Sequence, residues 1–318
     1  MALAPSTLDP ADQALLRLAT AVRDTGFHFV TPTPATIARV NARPGQEWAT
    51  DLRGVFGWSR PFRPGVVPDA MLDFMQQGGV LAPCAGGARS LVRLSSLQGH
   101  LFLHSAYPTA AADAVFFGPD TYRFVRAMLP HIKGNAPRRA VDIGCGAGPG
   151  AIAVAAHYPE ADVFAVDIND AALRLARINA ALAGVAVQAV RSDLLSGLDG
   201  QFDLIVSNPP YLVDPGERAY RHGGGPLGAG LSLAILDTAW DRLTPGGRLL
   251  LYTGAAIVNG TDPFRDAAAA RLADLDGGWS YEELDPDVFG EELGGGAYAS
   301  TDRIAAVLLS VIKGPHHA

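Results

Sequence analysis

Ala140-Val141-Asp142-Ile143-Gly144-Cys145-Gly146-Ala147-Gly148-Pro149-Gly150 reads as a strand that runs into a glycine-rich turn and then opens a helix. Glycines at 144, 146 and 148 let the backbone adopt conformations that a Cβ forbids and pass close to a ligand. Twenty-one residues past Gly146, Asp167 ends a second strand, the position that meets ribose hydroxyls in nucleotide-binding sheets. A dinucleotide fingerprint needs Gly-x-Gly-x-x-Gly; here the spacing is Gly-x-Gly-x-Gly, with Asp142 inside the strand ahead of it. An acid there suits a cationic ligand better than a pyrophosphate.

Around this stretch the pattern alternates. Residues 140–143, 162–166, 186–190, 202–206 and 248–252 read as strands, and residues 148–157, 169–183 and 228–243 as helices between them. In the second helix Leu175, Ile178 and Leu182 face inward and Gly184 ends the run. Such alternation implies right-handed crossovers and an α/β, doubly wound, mostly parallel Rossmann-like sheet. Residues 301–313, rich in Val, Leu and Ile, predict a last strand buried centrally.

The fourth strand carries the chemistry. Phe202-Asp203-Leu204-Ile205-Val206-Ser207 runs into Asn208-Pro209-Pro210-Tyr211, where two prolines must stop it. The residue before a proline is pushed out of the helical region, so Asn208 is held extended at the carboxyl edge of the sheet, where open α/β sheets bind ligands. Its amide offers an acceptor and a donor, the proline carbonyls add acceptors, and Tyr211 offers a ring for stacking. Together they suit a planar NH₂, an amide or the exocyclic amine of a base.

The first third differs. Asp9 caps a helix with Pro10 behind it and Leu15, Leu18, Ala19 and Val22 on one face; Thr33-Pro34 starts another. Met71, Phe74 and Met75 mark a third behind Pro68, and residues 90–95 and 101–104 flank Gln98-Gly99 as a hairpin. This predicts a small α+β domain over residues 1–112 that recognises substrate, followed by the catalytic domain over 113–318. Within it, Arg53, Arg60 and Arg63 interleave with Phe56, Trp58 and Phe62. These could clamp nucleic-acid bases or a peptide, or the aromatics could plug the small domain.

Composition narrows the partners. The 318 residues carry a net charge of −7, but residues 1–115 hold nine Arg, no Lys and eight acids, leaving 16 basic and 24 acidic residues in the remainder. The catalytic part therefore lacks the basic footprint of a duplex-DNA enzyme. No run of 18 apolar residues exists, and Met1-Ala2-Leu3-Ala4-Pro5 lacks the features of a leader, so a soluble, cytoplasmic protein off the membrane is expected. Cys84 and Cys145 share no metal or redox spacing, so no metal is expected.

Ser192-Asp193-Leu194 after the third strand places a carboxylate where an adenine amine would sit. With the glycine turn, Asp167 and Asn208-Pro209-Pro210-Tyr211, it forms four stations in order, and the chain resembles class I S-adenosylmethionine-dependent N-methyltransferases. Domain order and the form of the proline motif are most similar to the release-factor glutamine N5-methyltransferases, over roughly residues 117–255. Phe117-Gly118-Pro119-Asp120-Thr121 partly matches that group's P-R-x-x-T-E element, without its Arg and final Glu.

The resemblance implies S-adenosylmethionine as cofactor. It implies a cofactor site of Phe117, Asp142, Gly144, Cys145, Gly146, Gly148, Asp167, Ile168, Asp193, Leu194 and Asn208, in which Asp142 and the glycines border the methionine moiety, Asp167 takes the ribose and Asp193 the adenine amine. Asn208, with Pro209, Pro210 and Tyr211, is then catalytic. The implied acceptor is a protein glutamine, in a release factor for example; an exocyclic amine of structured ribosomal or transfer RNA and a small-molecule nitrogen stay open. Residues 213–230 read as a lid, on which His222 is exposed to solvent or touches substrate.

Overall fold

The computed structural model describes residues 8–134, 136–218 and 220–315; Met1 to Pro5, read above for a leader, lie outside them. Four helices come first: α1 (Pro10–Asp24), α2 (Pro34–Asn41), α3 (Leu52–Phe56) and α4 (Asp69–Gln77). Asp9 caps α1 by accepting from Asp12 N at 2.8 Å, and Leu15, Leu18, Ala19 and Val22 are buried. Two hairpins follow, β1 (Leu81–Cys84) with β2 (Gly87–Ser90), and β3 (Val92–Leu97) with β4 (His100–Ser105). The first hairpin escaped the sequence because its strands are short and half-exposed.

After helix α5 (Pro119–Ile132) come β5 (Arg139–Ile143), α6 (Pro149–His157), β6 (Asp162–Asp167), α7 (Asp170–Ala183), β7 (Gln188–Arg191) and β8 (Phe202–Ser207). The chain continues with α8 (Gly230–Arg242), β9 (Leu243–Ile257), α9 (Pro263–Leu272), β10 (Gly277–Asp285) and β11 (Arg303–Lys313). One seven-stranded sheet runs β10-β11-β9-β8-β5-β6-β7, parallel from β9 to β7 and antiparallel at β10 and β11. β11 lies inside the sheet, as its apolar run requires. β10 is the outer edge, exposed along most of its length, so no alternation marks it in the sequence.

Both faces of the sheet are covered, which is why its strands are apolar throughout. Ala140, Leu204, Val206 and Leu250 pack with α6, α7 and the N-terminal helices; Val141, Ile205, Leu249 and Leu251 pack with α8 and α9. The chain lays β6 and β7 to one side of β5 and then returns to put β8 on the other. That reversal opens a crevice between the carboxyl ends of β5 and β8, the place where such sheets bind ligands.

The N-terminal region is joined to this crevice by a buried side chain. Asn179 of α7 accepts from Leu103 N at 2.8 Å and donates to Leu103 O at 3.0 Å and to Ala147 O at 2.9 Å. One amide thus ties β4 to the glycine turn. Among the described residues no helix is long and apolar enough to cross a membrane.

Candidate active site

Asp142 sits one residue from the end of β5, 2% exposed, and its Oδ2 accepts from Ala151 N in the first turn of α6 at 2.9 Å. A Cβ at Gly150 would lie 2.6 Å from that oxygen, so only glycine lets the helix approach the acid. Burial pushes the Asp142 carboxyl up to about 7, against the pull of its backbone hydrogen bonds. Gly144 (φ +67°), Gly146 (φ +53°) and Gly148 (φ +84°) are all left-handed, which an L side chain rarely adopts. Cys145, between them, is buried, and burial raises its thiol well above the ordinary range.

Asp167, at the end of β6, accepts from Gly146 N at 3.0 Å through one oxygen and from Asn169 N at 2.9 Å through the other. These bonds fix the carboxylate across the glycine turn while leaving further lone pairs free. Ile168 beside it is 53% exposed. After β7, Ser192 accepts from Gly197 N at 2.9 Å and so closes a tight turn that presents Asp193 and Leu194 (φ +50°).

Across the crevice, Ser207 donates to Ile143 O at 2.7 Å and locks the ends of β8 and β5 together. Asn208 follows, half-exposed, then Pro209 and Pro210. Tyr211 is not a free stacking platform: it is 7% exposed, pressed against Gly254 of β9, where a Cβ would come 2.3 Å from the ring. Phe289 meets it edge-on, centroids 5.8 Å apart. The Tyr211 hydroxyl is buried without a hydrogen-bond partner. Burial and the nearby Asp120 charge push it well up.

A single cavity of about 220 Å³ joins these parts. It is lined by Asp142, Gly144, Cys145, Gly146, Asp167, Ile168, Asp193 and Leu194, and equally by Asn208, Pro209, Pro210 and Tyr211. Two residues expected there fall outside. Phe117 is fully buried, stacked on His104 at 5.0 Å, and its neighbour Phe116 lines the cavity instead. Gly148 turns away against Ala176, where it starts α6.

Other lining residues were not foreseen. Asp120, in the first turn of α5, accepts from Tyr252 OH at 2.7 Å and Arg123 at 3.0 Å; its only sequence signal was its place in the Gly118-Pro119-Asp120-Thr121 run. Phe289 had none, lying far along the chain in a left-handed conformation (φ 56°).

The loop after Tyr211 contributes Tyr220 and Arg221 to the cavity wall and is pinned by long-range bonds. Tyr220 lines the cavity, stacks on Phe116 at 6.1 Å and donates to Thr109 O at 2.7 Å. Arg221 pairs with Glu292, and Val213 N donates to Tyr298 OH at 2.9 Å. Inside the loop, hydrogen bonds from Arg218 hold Asp214 down to about 2. His222 is half-buried and outside the cavity: its Nδ1 accepts from Asp214 N at 3.2 Å, a structural bond.

This donor set fits S-adenosylmethionine. A buried carboxyl held near neutrality is one that a cationic group in the cavity would return to its ionised form, and Asp167 keeps acceptors for hydroxyls.

Comparison with known proteins agrees. The methyltransferase small domain model matches residues 114–257. The chain is 35% identical to the release factor glutamine methyltransferase of Deinococcus radiodurans over 212 residues, 63% of this chain and 72% of that protein. It is 34% identical to the enzyme of the same description from Bordetella pertussis over 50% of this chain and 63% of that one. The ribosomal protein uL3 glutamine methyltransferase of Neisseria gonorrhoeae is 39% identical over 36% of this chain and 42% of its own. Of these relatives the chain spans more than two thirds of the first alone. Among solved structures, the M.jannaschii tRNA m1G37 methyltransferase covers 80% of this chain at 15% identity and a TM-score of 0.49, over 71% of its own length. The chain belongs to the methyltransferase small domain family, with release factor glutamine methyltransferases among its relatives, and is an S-adenosylmethionine-dependent methyltransferase.

Proposed function

We propose that the chain methylates a planar nitrogen, the side-chain amide of a glutamine in a protein acceptor. The observation that carries this reading is the placement of Asn208-Pro209-Pro210-Tyr211 on the same cavity as Asp142 and Asp167. The relatives named as release factor and uL3 glutamine methyltransferases favour an amide as the acceptor.

Bound S-adenosylmethionine supplies an electrophilic methyl group. Asp142 and the turn at Gly144, Cys145 and Gly146 would hold its cationic end, Asp167 and Ile168 the ribose, and Asp193 and Leu194 the adenine. Asn208 Oδ1 and the Pro209 carbonyl would accept the two hydrogens of the acceptor NH₂, which draws its nitrogen lone pair out of conjugation and aims it. The pinned loop and Phe289 exclude water from that geometry. In this reading residues 8–112 recognise the acceptor, and the enzyme works in the cytoplasm.

Labelled S-adenosylmethionine added with the protein to a cell extract tests it. Label in an alkali-stable, protease-sensitive fraction is expected; label in nuclease-sensitive material would replace glutamine with a base amine.

A further inference from the structure

The arginine-rich segment singled out in the sequence has no part in the cavity. Phe56 and Phe62 do plug the N-terminal region, both buried, but Trp48 and Trp58 stay half-exposed, each with a guanidinium over its ring. Arg63 stands 4.9 Å from the Trp48 ring and Arg60 5.6 Å from that of Trp58. Trp58 meets Phe29 edge-on at 5.3 Å, and Arg53 lies 5.4 Å over Phe29. Asn41 ties α2 to this stack, donating to Trp58 O at 2.9 Å and accepting from Arg60 Nε at 2.8 Å.

None of these arginines is neutralised by an ion pair among the described residues. Among the described residues Arg39, Arg43, Arg53, Arg60 and Arg63 form no ion pair, as is also true of Arg138, Arg139, Arg242 and Arg248 beside the sheet. The acids nearby are Glu47 and Asp51, and Asp51 spends an oxygen capping Gly54 N at 2.7 Å. The surface also reaches the site: Ser59 accepts from Tyr107 N at 3.0 Å, and two residues on, Thr109 O holds the Tyr220 hydroxyl of the loop over the cavity.

We propose that this face docks a single-stranded segment of RNA, with phosphates on the arginines and bases stacked on the guanidinium and indole planes. An acidic protein would use the charges but gain little from ring planes, whereas unpaired bases use both. Unpaired bases are the standing state of RNA loops, which favours RNA over DNA. The docking is separate from the methyl acceptor and stands whether or not that acceptor is a glutamine.

Anisotropy of a labelled oligouridylate of about 12 nucleotides, titrated with the full chain across a salt series, tests it. Binding is expected to weaken steeply with salt. A variant carrying Arg53→Gln, Arg60→Gln and Arg63→Gln should lower the log–log slope by roughly 2. Trp58→Leu keeps the charges and should weaken binding about tenfold with the slope unchanged. Retained S-adenosylmethionine affinity and unchanged circular dichroism show that each variant folds; Arg39→Gln with Arg43→Gln serves if the triple variant does not, with a slope lower by roughly 1.4. The proposal is overturned if no binding occurs at low salt, if the slopes of wild type and variants coincide, or if Trp58→Leu binds like wild type. Polyglutamate that displaces the RNA at equal charge would assign the face to an acidic protein, and tighter binding of oligodeoxythymidylate would assign it to DNA.

Discussion

The two halves of the cavity are built by different means. The half proposed to hold the cofactor is made of backbone: left-handed glycines, and carboxylates fixed by Gly146, Ala151 and Asn169 amides within one strand-turn-helix unit and its neighbour. The half proposed to receive the acceptor, beyond Asn208, is made of side-chain clamps between segments far apart in sequence: Tyr220 to Thr109, Arg221 to Glu292, Val213 to Tyr298, and Tyr211 against Gly254 and Phe289. Local backbone chemistry can hold a common cofactor in many proteins, while long-range clamps are free to be reshaped around one acceptor. Damage to one half should therefore leave the other standing.

After the loss expected from Asn208→Ala, a large separation should come from Gly254→Val. Its side chain would strike the Tyr211 ring and shift the acceptor half by about an ångström, lowering transfer about 10²-fold while cofactor affinity holds within a factor of about two. Steady-state rates and calorimetry on the same preparation read both. Asp167→Ala is the converse and should weaken S-adenosylmethionine binding by about 1.5–3 kcal/mol, the scale of charge-assisted hydrogen bonds, with the loop's pinning untouched.

Acidity gives a third handle. With Asp142 pushed up to about 7, a cationic ligand must expel a proton below that pH. Cofactor affinity should then fall by up to about tenfold per unit as the pH drops below about 7 and level off above it, and Asp142→Asn should flatten the profile. The sign reverses for folding of the free protein. The unfolded chain ionises this acid first, near its ordinary value, so Asp142 makes the free fold less stable as pH rises through that window, up to about 7. The smallest effect is expected from Arg221→Gln. Loss of a half-buried pair with Glu292 should raise the KM for the acceptor only a few-fold, since exposed pairs contribute about 0–1 kcal/mol.

The same contrast explains what could be read from the chain. Strand, glycine turn, Asp167 and the proline motif follow from local chemistry, and so does the Asp9 cap of α1. Phe117 is buried while Phe116 lines the cavity, and a pair of phenylalanines gives no local sign of which faces the core and which the cavity. Asp120 and Phe289 belong to the site only through tertiary packing, and β10 carries no alternation because it is an exposed edge.

Asn208→Ala tests the central claim most directly. Methyl transfer to the acceptor should fall about 10²–10³-fold, the effect of losing one aimed hydrogen-bonding group in a dry site, while calorimetric S-adenosylmethionine affinity stays within about twofold. Equal transfer by wild type and Asn208→Ala would contradict the assignment of the acceptor half to this motif.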